Sequence, residues 1–305
     1  MRIFLLLLLA LASVAAAEWK FPCPENEIAR YTAYHVTGPM HIDGRLDEPA
    51  WLRAPRSPRF SDILTGQPVI HDTRASVLWD DTYLYVAYRV EEPFVQAKFT
   101  NHNDLIYQDN DVEFFIAGPD AYYEFEINAF NTCYEVFFVW EDNFVRSGLA
   151  QFPEFERAKL VPFNGVEFKN HPRGGRLGNF QHALPGLKTA VQVDGTVNND
   201  ADRDRGWTVE LAFPWQSMKW LATDGRALPP KEGDEWRLDF SRFNQYKEAP
   251  PAQDSGGWFW SRHGVWDSHI PECFPYIRLT TNDVSVSLAP LAQPLTANPS
   301  NKLKP

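Results

Sequence analysis

Residues 42–51 read Ile42-Asp43-Gly44-Arg45-Leu46-Asp47-Glu48-Pro49-Ala50-Trp51, a run that joins a turn signal to an aromatic anchor. Asp43-Gly44 favours a tight turn, because glycine accepts a positive φ and aspartate bonds its own backbone. Pro49 suits the first turn of a helix, so a single helical turn over residues 49–53 is predicted to carry Trp51 inward. Taken alone, the run predicts a strand, a turn and a buried tryptophan.

Most of the remaining chain alternates apolar and polar residues with the period of two that is typical of β-strands. Ten or more short strands are predicted, with helix limited to residues 49–53 and 214–221, so we expect an all-β antiparallel sandwich. No linker divides the chain, and one domain is predicted over residues 18–283. The alternating runs are 75–80, 84–89, 112–116, 123–129, 134–140, 188–193, 207–213, 235–243, 258–261 and 276–280. The motifs VLWDDTYLYVA (77–87), DNDVEFFI (109–116), YYEFEIN (122–128) and GWTVELAFPW (206–215) overlap several of these runs.

The IDGRLDEPAW run, followed in order by VLWDDTYLYVA, DNDVEFFI, YYEFEIN and GWTVELAFPW, resembles the carbohydrate-binding module family 9 domains, which are related to the DOMON sandwiches. The resemblance extends from about residue 42 to about residue 279. It implies a jelly-roll or DOMON-like β-sandwich that binds carbohydrate. Residues 141–186 form a segment longer than the family's usual connection, and it is either a lid over a ligand or a solvated excursion.

The two ends of the chain differ in composition from its middle. Residues 1–17 have one charge, at Arg2, an apolar run and a small-residue ending at Ala15-Ala16-Ala17, which is typical of a cleaved secretory signal. The apolar run is short for a membrane span, so no span is expected after cleavage. Residues 284–305 contain prolines and no aromatic residue, and a disordered tail is predicted. The signal-like pattern of residues 1–17 predicts a secreted or periplasmic protein.

Charge and cysteine content narrow the set of partners. The net charge is −11, or −12 once Arg2 is removed, which disfavours nucleic acid and anionic membranes and fits a neutral ligand. Cys23, Cys133 and Cys273 permit at most one intramolecular disulfide, and the sequence does not select the pair or exclude three unpaired thiols.

Sugar rings present C–H faces bordered by hydroxyl groups, so a binding site needs aromatic faces and planar polar groups at their edges. The resemblance implies that Tyr107 supplies one ring, in place of the usual tryptophan, and that Trp266 or Trp260 supplies the other. It also implies sugar-bonding roles for Glu113 and Asn128, and it places Glu126 where a family example has a basic residue. Arg242, which points opposite Phe243 by alternation, could reach the same cleft, or it could form a buried ion pair with Glu113.

Two acidic clusters are candidate calcium sites, since calcium takes six to eight oxygen ligands in flexible loops. The first contains Asp109 and Asp111, and the second contains Asp200, Asp202 and Asp204. Family members bind structural calcium, which the resemblance extends to this chain. The alternative is that these residues form Asx turns.

The sequence favours binding over catalysis, because it lacks a nucleophile elbow, a zinc HExxH motif and a phosphate loop. We therefore expect a non-catalytic carbohydrate-binding protein that supports glycan catabolism beside partner glycoside hydrolases. Two alternatives stay open. One is haem binding of the DOMON type, for which Met40, Met218 and eight histidines supply few ligands, and the other is a glycoside hydrolase that acts on O-glycosyl bonds.

Overall fold

The computed structural model describes residues 19–245 and 255–288. The predicted signal at residues 1–17 lies outside this range. No helix in the described ranges combines the length and apolarity needed to cross a membrane. The strands are β1 (Arg30–His35), β2 (Ser61–Asp62), β3 (Thr73–Trp79), β4 (Tyr83–Glu91), β5 (Asp111–Ala117), β6 (Ala121–Asn128), β7 (Cys133–Trp140), β8 (Val161–Phe163), β9 (Arg176–Asn179), β10 (Lys188–Asp194), β11 (Gly206–Pro214), β12 (Glu235–Phe243), β13 (Gly257–Phe259) and β14 (Tyr276–Asp283).

Helical structure is confined to short segments. Hydrogen bonds from Leu52 N to Glu48 O and from Ala54 N to Ala50 O make the helical turn predicted at the start of the domain. The described 3-10 turns are Glu25–Glu27, Ile106–Gln108, Leu149–Gln151, Pro153–Phe155, Arg157–Lys159, Trp215–Leu221 and Pro271–Cys273, and the α-helical turn is α1 (Val284–Ser287).

One hydrogen-bonded path, in the order β10-β11-β4-β3-β1-β14-β12-β5-β6-β7-β9-β8, runs through the domain and folds over into two layers. The sheet bends from one layer into the other at β1, which pairs with β3 at only two positions and with β14 along most of its length. Both β1 pairings are parallel, and the ladders on either side of β1 are antiparallel. The predicted antiparallel β-sandwich is therefore confirmed, with a parallel seam that alternation does not reveal.

The main core lies between the two layers. Phe213 of β11 stacks on Phe114 of β5 at a centroid distance of 4.7 Å, and Tyr88 of β4 faces Phe240 of β12 at 6.1 Å. Burying such rings removes large apolar areas from water, which is the dominant favourable term in folding. Trp51 is fully buried, as its sequence context predicts, and Trp79, Trp207 and Trp236 are buried as well.

Glu210 of β11 links the run at residues 42–51 to the sandwich. Its Oε2 accepts hydrogen bonds from the backbone N–H of Asp43 (3.0 Å) and Gly44 (3.1 Å), and its Oε1 accepts one from Trp51 Nε1 (2.8 Å). Gly44 has a φ of 85°, and a Cβ there would lie 2.9 Å from the backbone N of Gln192. The turn therefore requires glycine for both conformation and space.

Residues 141–186, hereafter the insertion, are structured. They contain β8 and β9, which extend the sheet beyond β7. His171 and Arg176 are buried rather than solvated, and Arg176 Nη2 donates to the backbone oxygen of His269. A purely solvated excursion is therefore wrong for His171 and Arg176, and a lid over a ligand stays a prediction for the insertion.

A disulfide joins Cys23 to Cys273, and Cys133 is a partly buried free thiol. The bond fixes the N-terminal segment to the loop before β14, a pairing that the sequence left open. Residues assigned to the tail begin with the helical turn Val284–Ser287, where Val284 is buried, so the predicted disorder does not hold there. Residues 289–305 lie outside the described ranges.

Candidate functional site

The second face of β5, β6 and β7, turned away from the core between the layers, forms the floor of a cleft. Because side chains alternate along a strand, this face receives Glu113 from β5 and Glu124 and Glu126 from β6. In register, Glu113 lies directly opposite Glu126, and Glu126 lies opposite Tyr134 of β7. We call the three glutamates the carboxyl floor.

Segments from four parts of the chain form the walls above this floor, and together they enclose about 340 Å³. Such a volume is at the lower end of ligand sites, which are typically about 300–1,000 Å³. We call this site the aromatic cleft. Its lining residues are Tyr107, Glu113, Glu124, Glu126, Tyr134, Phe138, Phe163, Val166, Phe180, Phe243, Trp266, Asp267, Ser268 and His269.

Tyr107 and Trp266 are the two lining residues that the family resemblance nominated as sugar-stacking rings. Tyr107, in the 3-10 turn before β5, is 47% exposed and meets Tyr134 edge-on at 6.0 Å. Trp266 is half-buried and packs edge-on against Phe243 at 5.1 Å. A large aromatic side chain with this much free surface contributes little to the core, so its face is available to a ligand.

The floor glutamates are almost fully buried, at 1–4% exposure. Ser241 Oγ donates to Glu113 Oε2 at 3.0 Å, whereas Glu126 Oε2 is buried and receives no hydrogen bond. Burial raises the pKa of Glu113 to about 8, and burial together with the neighbouring carboxyl groups raises the pKa values of Glu124 and Glu126. The carboxyl floor therefore consists of acids that resist ionisation.

His269 lies 3.6 Å from Glu124 but does not neutralise it. Burial lowers the pKa of His269 to about 3, so the ring is neutral at physiological pH. Its Nδ1 pairs with the Tyr122 hydroxyl at 3.2 Å, which turns the other ring nitrogen, Nε2, toward Glu124. At 3.6 Å this contact is longer than a hydrogen bond.

Asp267 connects the cleft to the insertion. Its Oδ2 accepts backbone hydrogen bonds from Val166 (2.8 Å), Glu167 (3.0 Å) and Phe168 (3.0 Å). This contact holds the loop beside Phe163 against the cleft. The sequence offered the insertion as a possible lid, but nothing in its composition indicates which strand it covers or which of its residues face the cleft.

The structure brings Tyr107, Glu113, Glu126 and Trp266 together, and it places the other three candidates elsewhere. Asn128 is buried, and its side-chain amide bonds Phe99 O and Asp109 Oδ2. Arg242 pairs with Val112 in register, so alternation turns it to the core side, where it contacts Glu92 rather than Glu113. Trp260 is 7% exposed and packs on Phe240 at 4.9 Å, as a core residue.

Glu124 is a cleft residue that the sequence analysis did not nominate. It lies two residues before Glu126 on β6, so the period of two already places both side chains on one face. That signal could have found it. Phe163 and Phe180 carried no comparable signal, since the contacts that bring the insertion to β7 are long-range.

In each of the two acidic clusters nominated for calcium, an aspartate accepts backbone hydrogen bonds from a neighbouring loop. Asp109 Oδ2 accepts from the backbone N of Lys98 and Phe99, and Asp204 accepts from Val95 N (2.8 Å) and Thr196 N (2.7 Å). Asp202 bonds the Thr196 hydroxyl, and Asp200 is exposed. Asp200, Asp202 and Asp204 do not bring three carboxylate oxygens together.

Asp111, from the first nominated cluster, is instead grouped with Glu113 and Glu126, and one carboxylate oxygen from each of the three lies within 4.8 Å of the other two. Calcium binding by the nominated clusters stays a prediction.

A larger, more open groove of about 990 Å³ lies over β3, β4, β10 and β11. Its arginines mostly pair with carboxylates, as Arg74 does with Asp72 at 2.9 Å and Arg205 with Asp194 at 3.3 Å. The groove presents no comparable set of aromatic faces. The smaller aromatic cleft is therefore the better candidate for a sugar, despite the difference in volume.

Comparison with known proteins agrees with the family resemblance. Residues 42–143 match the family described as "Carbohydrate family 9 binding domain-like". Among solved structures, a putative carbohydrate-binding protein from Bacteroides uniformis superposes with a TM-score of 0.54 at 16% identity, covering 83% of this chain and 99% of the other. No curated protein matches significantly.

Two further solved structures are family 9 carbohydrate-binding modules from Caldicellulosiruptor kristjanssonii, one in complex with glucose and one with cellotriose. The first has 13% identity and a TM-score of 0.45, covering 83% of this chain and 97% of that module. The second has 14% identity and a TM-score of 0.44, covering 86% of this chain and 100% of that module. The resemblance to family 9 inferred from the sequence is confirmed for residues 42–143, and the likeness to the Bacteroides uniformis protein extends to the overall fold.

Proposed function

We propose that this protein binds carbohydrate at the aromatic cleft without cleaving it. The observation that carries the proposal is the juxtaposition of the partly free rings of Tyr107 and Trp266 with the carboxyl floor. Aromatic faces match the C–H surface of a sugar, and carboxyl groups accept hydrogen bonds from its hydroxyls. The family match over residues 42–143 supports the same assignment.

The floor geometry supports binding rather than hydrolysis. Glycosidases place two carboxyl groups on either side of the scissile bond. Here Glu113, Glu124 and Glu126 project from one surface formed by two adjacent strands. The remaining carboxylate, Asp267, is held by three backbone N–H groups of the insertion. A non-catalytic role is part of the proposal.

We place the protein outside the cytoplasm, secreted or periplasmic, where it would assist glycan breakdown by partner glycoside hydrolases. The signal-like pattern of residues 1–17 and the Cys23–Cys273 disulfide support this setting, since disulfides persist in oxidising compartments. The volume of the cleft suits a chain end or a single exposed ring better than a long internal stretch.

The test is a glycan array on the mature protein, followed by calorimetry with the best ligand. Tyr107→Ala should weaken binding by roughly 1–3 kcal/mol, because it removes one stacking face at an exposed position. The matched control is Phe130→Ala, since Phe130 is 42% exposed and does not line the cleft. No binding to any glycan, or equal losses in both variants, would contradict the proposal.

A further inference from the structure

The charge of the aromatic cleft is unbalanced. Its lining contains four carboxyl groups and one neutral histidine, and no described lining residue is a lysine or arginine. Asp267 is compensated by the insertion's backbone N–H groups and by His269 N. On the floor, Glu113 accepts from the hydroxyls of Ser241 and Ser268 and Glu126 from the backbone of Tyr107, but Glu126 Oε2 receives no hydrogen bond and no described cation faces the three glutamates. The unmatched acidity is therefore concentrated on the floor, beneath the rings.

The strand register makes this concentration worse for the free protein. Glu113 and Glu126 are directly opposite each other on antiparallel strands, and like charges at such a pair are destabilising. Asp111 lies two residues before Glu113 on β5. One carboxylate oxygen from each of Asp111, Glu113 and Glu126 lies within 4.8 Å of the other two. Asp111 Oδ2 and Glu126 Oε2 are buried and receive no hydrogen bond. Buried acceptors of this kind require a donor or a cation from elsewhere.

A neutral sugar satisfies only part of this requirement. Its hydroxyl groups can donate to the carboxyl oxygens, but they bring no positive charge that would stabilise an ionised carboxylate in a desolvated site. An ammonium group supplies three donors and a compensating charge. It also gains from the faces of nearby aromatic rings, which attract cations. The cleft offers such rings in Tyr107, Tyr134 and Trp266.

We propose that the aromatic cleft selects sugars that carry a free amino group, with the ammonium against Glu113, Glu124 and Glu126 and the ring against Tyr107 and Trp266. The inference rests on the proposed carbohydrate-binding function and adds the substrate class to it. An amino sugar at a chain end fits the site better than the same sugar when it is N-acetylated, because acetylation removes the charge and adds bulk.

The experiment is titration calorimetry of the full mature chain at pH 6.5, where the amino group of glucosamine is mostly protonated. EDTA is present to remove metal ions. The ligands are glucosamine, N-acetylglucosamine and glucose, which differ only at one ring carbon, followed by the corresponding β-1,4-linked trisaccharides. We expect the amino form of each set to bind at least tenfold more tightly than the other two.

Variants test the assignment to the floor. Glu126→Gln should lose most of the preference for the amino form, measured as the ratio of its affinity to that of the neutral sugar in the same variant, and Glu126→Arg should reverse the preference. Glu235→Gln is the matched control, because it removes one negative charge at a partly exposed position outside the cleft lining. Circular dichroism of each variant confirms that the fold is retained.

The outcomes separate this inference from the proposed function. Equal affinity for amino and neutral sugars would overturn the amine preference and leave carbohydrate binding intact. Neutral sugars that bind tightly only with added calcium would also overturn it, since the compensating cation would then be a metal ion. Failure to bind any sugar would refute the proposed function itself.

Discussion

Removing the Glu210 side chain should lower the free energy of unfolding of the domain by more than the loss of a single hydrogen bond would. Glu210 ties the turn at residues 42–51 to β11 through three hydrogen bonds, from Asp43 N, Gly44 N and Trp51 Nε1. In Glu210→Ala all three donors lose their acceptor. The indole of Trp51 is fully buried, so water cannot replace the lost bond there.

The magnitude follows from the burial of each donor. Two of the donors, on Gly44 and Trp51, are in buried contacts, and each unsatisfied buried donor costs about 1–3 kcal/mol. The Asp43 donor is part-buried and regains water. Part of the loss is offset because burial raises the pKa of Glu210, so the carboxylate itself is costly to keep. We expect a net loss near 3 kcal/mol for Glu210→Ala and about half of that for Glu210→Gln, which keeps one acceptor oxygen.

The assay is urea denaturation at pH 7 with the parent protein, both Glu210 variants and Glu235→Gln as an exposed control. Cm should fall in the order control, Gln, Ala, with an unchanged m-value, since only native stability changes. If Glu210→Ala unfolds within about 0.5 kcal/mol of the parent, the three bonds do not hold the turn, and the run at residues 42–51 owes its position to Trp51 packing alone.

Four further predictions concern the site and its surroundings. Trp260→Ala should destabilise the fold by about 3–5 kcal/mol, in contrast to Tyr107→Ala, and normal stability would show that Trp260 is not core. Burial raises the pKa of Glu113 from 4.5 to about 8, so the folded state keeps a proton that the unfolded state releases. Stability should therefore fall as the pH rises from 5 to 8, and Glu113→Gln should flatten that slope in denaturation at several pH values. Millimolar calcium should raise Tm if the nominated acidic clusters bind it in the folded state only, and an unchanged Tm after EDTA treatment would contradict this. Asp267→Ala should expose the insertion to limited proteolysis near residues 164–170, since three backbone bonds are lost, and an unaltered digestion pattern would show that packing alone holds the loop.

Strand alternation made most of the sandwich predictable. The β12 prediction, residues 235–243, coincides with the observed strand, and the runs around β5, β6 and β11 are correct to within two residues at either end. A period of two fixes which side chains share a face, but it does not identify the partner strand. The parallel seam at β1 and the docking of β8 and β9 on β7 depend on contacts distant in sequence, and they were not predicted.

The site shows the same division between local and long-range information. Glu113 and Glu126 lie in regular strands, so their common face follows from alternation once β5 and β6 pair. Trp260 directly follows β13, whereas Trp266 lies six residues further on in a loop where no period applies. Their different environments depend on packing, Trp260 against Phe240 in the core and Trp266 against Phe243 at the cleft.

The acidity of the cleft is best explained as a feature kept for binding at a cost to folding. Three carboxyl groups on one buried surface disfavour the native state, and uncharged side chains of similar size would relieve that cost. Glu113 and Glu126 are nevertheless held in direct opposition by the register, with Asp111 behind them. Residues that weaken the fold in this way are expected at functional sites, where a ligand supplies the missing interaction. A cationic ligand would supply it, whereas a purely structural role would leave the opposition unexplained.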